Sequence, residues 1–154
     1  MNKVEHAILE CETHLKNTDS FGTEVEAYLT RYLLLLISAH FEENLEEAFI
    51  IRAAASGDSF VSEYFKNDIP NQLKSVGITK LNNFIKKFGI DYSNKFKEKI
   101  IDELDREVTA YGNIIKNRHL VAHETTEPQI TFYELVGAYN DSKKIIDKIK
   151  EILM

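Results

Sequence analysis

Residues 103–123 read ELDREVTAYGNIIKNRHLVAH, with Arg118, His119 and His123 near the end. At about 100° per residue, Leu104, Val108, Tyr111, Ile115 and Ala122 fall on one stripe, the pattern of a helix that buries one side. Arg118 lies within about 50° of the centre of that stripe, and His119 a similar distance on its other side. His123 falls at the stripe's edge, about 140° around from Arg118, so the two flank an apolar strip and do not stack on each other. A guanidinium on a core-facing side is costly unless it is paired or opens onto solvent.

The rest of the chain repeats the helical pattern, and no alternating β-branched run is long enough for a sheet. A first helix is expected at about 3–16. Thr23 with Glu26 makes a capping-box signature for a long second helix, ended near Ser56-Gly57-Asp58. A short piece at 60–65 precedes a loop at Asn67-Asp68-Ile69-Pro70-Asn71, where proline disfavours helical geometry in its predecessor. Short helices fit 79–88 and 93–101, separated by Gly89. The helix of 103–123 follows, residues 125–128 break the chain, and Thr131 with Glu134 caps a last helix through 152. The expectation is an all-α fold: an antiparallel helical bundle of three long helices with additional short ones, a single domain spanning 1–154.

The chain has 154 residues, 44% hydrophobic and 29% charged, which suits a folded domain and not a disordered tail. One cysteine, Cys11, excludes an internal disulfide and a cysteine-based metal cluster. The N-terminus lacks a signal-peptide pattern, and the longest apolar run, around Leu33 to Ile37, is far short of a membrane span; a cytoplasmic protein is expected. Net charge is −6, unevenly spread: 1–63 carry 12 acids and 4 bases, whereas 64–118 carry 7 acids and 11 bases. A polyanion would be drawn to that middle part; taken alone, such a lysine run also fits a solvated helical face.

An arginine four residues before a histidine joins a fixed positive charge to a residue type that titrates near neutrality. Phosphodiester cleavage in RNA needs that pair. The structural alternative is an Arg118 paired to an acid of the second helix and a His123 serving as a cation near a helix C-terminus.

The segment NIIKNRHLVAH, residues 113–123, resembles the signature of the HEPN superfamily, small α-helical bundles with an Arg-x4–6-His motif and a polar residue after the arginine. Arg118, His119 and His123 match those places, and the helix containing Ile37-Ser38-Ala39-His40-Phe41-Glu42-Glu43 is similar to helices of stand-alone bacterial members. The resemblance implies a metal-independent endoribonuclease, a toxin or anti-phage defence component. It also implies a homodimer with facing motif helices and an antitoxin or defence-system partner protein. Arg118 would hold the phosphate, His123 would move protons, and His119 would position phosphate or share proton transfer. No cofactor and no metal are expected; RNA is the expected ligand. A subgroup with nucleotidyltransferase antitoxins has a tyrosine two residues beyond the histidine; Thr125 stands there, so control through that tyrosine is not expected.

On the second helix Leu33, Ile37, Phe41, Leu45 and Ala48 form the apolar stripe, with Asn44 inside it and His40, Glu43 and Glu47 along one edge. By phase Glu43 or Glu47 is better placed than Glu42 to orient Arg118 or His119; a solvated acidic edge with one satisfied Asn explains the line equally well. His119 and His123 share a face at metal-ligand spacing, with Glu124 nearby, and His40 and Glu43 are three apart. No Glu-x-x-His pair supplies the matched carboxylates of a di-iron bundle. A non-catalytic helical module that binds RNA or a partner protein is the alternative function. The seven tyrosines are expected to pack, and Cys11 to be a small core residue.

Overall fold

The computed structural model describes residues 1–123 and 127–154. Helices α1 (Lys3–Asn17), α2 (Glu24–Ala54), α3 (Ser59–Gln72), α4 (Ile78–Lys86), α5 (Ile90–Phe96), α6 (Asp105–His123) and α7 (Phe132–Leu153) make up the fold, with one π-helical turn, Lys97–Asp102, between α5 and α6. The described residues contain no strand. None of the described helices is long and apolar enough to cross a membrane.

Local chemistry explains most of the boundaries. Thr131 accepts from Glu134 N–H while the Glu134 carboxylate accepts from Thr131 N–H, closing the expected capping box. Asn2 and Glu5 form a second box at α1. Thr23 occupies the N-cap of α2 but makes no cap bond; its hydroxyl donates to the Ser20 carbonyl. Glu26, released from that box, accepts from Gly22 N–H at 2.7 Å and Phe132 N–H at 3.2 Å, tying the start of α2 to the start of α7.

The expected loop at 67–71 is helix instead: α3 runs through Pro70. Proline there lies two residues before the helix end, so it forfeits one ladder bond at a point where solvent can satisfy the freed carbonyl. Ile69 and Leu73 on either side are buried and anchor the turn. The expected helix at 93–101 divides into α5 and the wide π turn, with Phe96 and Ile100 in the core.

Three long helices make the frame. Glu26 and Asn44 of α2 reach Phe132 and Lys150 of α7, so these two run alongside in one direction. Helix α6 runs against α7: Arg106 meets Asp141 and Asn117 meets Gln129. The core is continuous. Leu33, Ile37, Phe41, Leu45 and Ala48 of α2 are all buried, and Phe41 stacks on Tyr111 of α6 and Tyr139 of α7, centroids 6.0 and 5.9 Å apart. Cys11 is a buried core residue, its thiol pushed up by burial and by Glu10.

On α6 the buried set is Ala110, Tyr111, Ile114, Ile115, Asn117 and Val121, whereas Ala122 is exposed. The core side is therefore rotated from the expected stripe toward 110, 114, 117 and 121, because α6 packs on α7 as well as α2.

Candidate active site at the end of α6

The last turns of α6 are positioned from three sides. Tyr111, almost fully buried, donates from its hydroxyl to the Val76 carbonyl at 2.8 Å and ties the helix to the chain entering α4; burial pushes this phenol well above its ordinary pKa. Val121 buries the final turn. Asn117, 5% exposed, accepts from Gln129 N–H at 2.7 Å and donates to the Asn113 carbonyl at 2.9 Å. One side chain thus joins α6 to the approach to α7, which is why an amide sits on the core face.

These anchors hold three chemically capable side chains at the helix end, Arg118 toward the core side and the two histidines outward. Arg118 is half-buried, and no acid among the described residues lies within ion-pair distance of it. The structural alternative, a guanidinium neutralised by the second helix, is not what the described residues show. His119 and His123 are exposed, one helical turn apart, with ring centroids 5.9 Å apart and planes 23° from parallel. The last turns of α6 therefore carry a guanidinium with no acid partner among the described residues and two accessible imidazoles. Such a set can bind an anion and exchange protons with it. Glu124 and Thr125 lie outside the described residues.

The polar line of α2 goes elsewhere. His40 and Asn44 open into a pocket of about 300 Å³ with Asn2, Lys143 and Asp147, against α1 and α7. Asn44 donates to the His40 carbonyl and accepts from Lys150 at 2.7 Å, so the polar residue in the stripe is satisfied. Lys150 is 18 residues from Phe132, about 27 Å of helix from the end where Asn117 and Arg118 sit. Glu43 and Glu47 are exposed, and Glu47 lines the groove with Lys150 and Met154. Within one chain His40, Glu43, Asn44 and Glu47 do not converge on Arg118, because helical phase fixes only a face and not the height along the bundle. Glu42, ranked behind the other two by phase, is the acid turned toward the α6 side. It accepts from Ser75 N–H at 2.8 Å and from its hydroxyl at 3.1 Å.

Sequence reasoning missed Asn117. Its signal was an amide among Ile114, Ile115 and Val121, one residue before the motif. Among the described residues, no three His, Cys, Asp or Glu side chains come together as a metal site.

Comparison with curated proteins and with solved structures returns no match. A family model described as RiboL-PSP-HEPN matches residues 2–154, essentially the whole chain. An all-helical bundle carrying an Arg-x4-His motif at the exposed end of a long helix, matched over that length, belongs to the RiboL-PSP-HEPN family of the HEPN superfamily.

Proposed function

We propose that the chain is a metal-independent endoribonuclease whose reacting groups are Arg118, His119 and His123. The observation that carries this reading is the half-buried Arg118 without an acid partner among the described residues, on the same last turns of α6 as two exposed imidazoles. RNA supplies its own nucleophile. The 2′-oxygen attacks phosphorus and loses its proton to an imidazole; the P–O5′ bond breaks, and the 5′-oxygen takes up a proton. The products are a 2′,3′-cyclic phosphate and a 5′-hydroxyl. His123 moves protons, and His119, stacked one turn below, shares the transfer or holds a phosphate oxygen. The planar guanidinium of Arg118 stabilises the added charge on the equatorial oxygens.

A homodimer fits this reading. Val25, Tyr28, Tyr32 and Leu35 of α2 are 37%, 58%, 51% and 41% exposed and recur at three- and four-residue steps, as along a coiled-coil seam. They occupy the half of α2 that meets the start of α7, the end of the bundle that carries the motif. Pairing two such seams would join two copies through α2 at that end of the bundle. A toxin or anti-phage role, with an antitoxin or defence partner restraining it, is what kinship with the HEPN superfamily adds.

The test is single-turnover cleavage of end-labelled RNA in EDTA by wild type, Arg118→Ala and His123→Ala, with binding measured in parallel. Cleavage by wild type alone, leaving 2′,3′-cyclic phosphate ends, supports the proposal. Equal behaviour of all three overturns it, and binding without cleavage assigns the chain to the non-catalytic class.

A further inference from the structure

A recess of about 530 Å³ opens between α6 and α7, on the opposite side of Asn117 from the core. Its floor is poor in side chains: Ala110 of α6 faces Gly137 and Ala138 of α7. Gly137 stands inside a 22-residue helix, where glycine weakens the helix relative to alanine. A Cβ at this position would meet no atom within 4 Å, and its backbone is not in the left-handed region. Neither packing against the described residues nor backbone conformation accounts for the missing side chain.

The walls are polar and largely uncommitted. The side-chain amides of Asn113 and Gln129 line the recess and make no hydrogen bond to a described residue. Lys116 also lines it and takes part in no ion pair among the described residues. The two acids at the rim are engaged: Asp141 pairs with Arg106 at 2.9 Å, and Glu134 accepts from Thr131 N–H at 2.8 Å. Thr109, Lys116 and His123 are seven residues apart in turn, which sets them within about 20° per step along one edge of α6. That edge runs from the recess straight to the imidazole at the helix end.

We propose that this recess is a nucleotide subsite for the RNA strand that passes the motif. Lys116 takes a backbone phosphate, one unstacked base lies flat over Ala110, Gly137 and Ala138, and the amides of Asn113 and Gln129 read its edge. Single-stranded RNA is the matching ligand because its bases can be splayed out and read on their hydrogen-bonding edges. The inference rests on the reading of Arg118 and His123 as the RNA-cleaving end.

Gly137→Leu fills the floor without disturbing the core, and leucine is a stronger helix former, so its Tm should equal or exceed that of wild type. Binding is measured by fluorescence anisotropy of a labelled mixed-sequence single-stranded RNA in a His123→Ala background, which keeps the probe intact. Gly137→Leu is expected to weaken binding about tenfold, and Lys116→Ala to reduce the salt slope by roughly one. In the cleaving protein, Asn113→Ala with Gln129→Ala should change which nucleotides flank the cuts. A folded Gly137→Leu protein with the parent's affinity and cut sites overturns the subsite. If wild type cuts no RNA yet Gly137→Leu weakens binding, the nuclease reading falls and the subsite stands. If wild type cuts RNA and Gly137→Leu changes nothing, the subsite falls and the nuclease reading stands.

Discussion

Arg118→Met separates a guanidinium held for chemistry from one held for stability. Arg118 is half-buried, with no acid within ion-pair distance among the described residues. Removing one member of a buried ion pair costs about 3–5 kcal/mol, which at about 2–4 °C per kcal/mol lowers Tm by roughly 6–20 °C in a chain of this size. Methionine keeps the apolar stem of the side chain in contact with its neighbours and removes a charge that no described residue neutralises. The expected Tm is unchanged or higher by up to about 4 °C, the equivalent of roughly 1 kcal/mol. Activity should move the other way, falling by about 10²–10³ as when one donor to a developing anion is deleted. Thermal unfolding by circular dichroism and single-turnover RNA cleavage in EDTA read the two quantities on one preparation. A variant that melts more than about 6 °C early while cutting RNA at the parental rate would refute the reasoning.

Three further outcomes follow from other parts of the molecule. Half-buried Glu46 has its carboxyl pKa raised, first by burial and then by Glu42 and Glu43, with Lys74 offsetting in part. A carboxyl whose folded pKa lies above its unfolded value destabilises the fold as pH rises past the unfolded value, about 4.3, with the full effect above the folded value. Glu46→Gln should therefore raise Tm at pH 7 and lose that advantage below about pH 4; an equal gain at both pH values contradicts the account. Asn117→Ala removes the acceptor for Gln129 N–H and should cost about 1–3 kcal/mol, with faster hydrogen exchange at Gln129 as its local signature. Tyr32→Glu places a carboxylate in the exposed seam of α2 and should convert a homodimer to monomer by light scattering; an unaltered mass would put the dimer contact elsewhere.

The helical class and the long elements were legible because period and punctuation agree. The α2 stripe from Leu33 to Ala48 is buried as read, and Thr131 with Glu134 caps α7 as read. Where the reading failed, longer-range contacts decide. Pro70 is carried inside α3 by the buried Ile69 and Leu73, and the Thr23 box is undone because Glu26 is drawn to Phe132, 106 residues away. On α6, contact with both α2 and α7 rotates the buried side, which no single-helix projection contains. The candidate site divides the same way. Arg118, His119 and His123 were visible as a spacing. The height of Glu43 and Glu47 along the bundle, and the hold of Asn117 on Gln129, depend on how neighbouring helices are staggered.

That hold also decides how firmly the end of α6 keeps its place. A single amide clamps the backbone at Gln129 to the turn just before Arg118. Breaking that bond would free the turn that carries Arg118 without touching either imidazole. The clamp and the proposed reacting groups thus share one helix end, so what loosens the first disturbs the second.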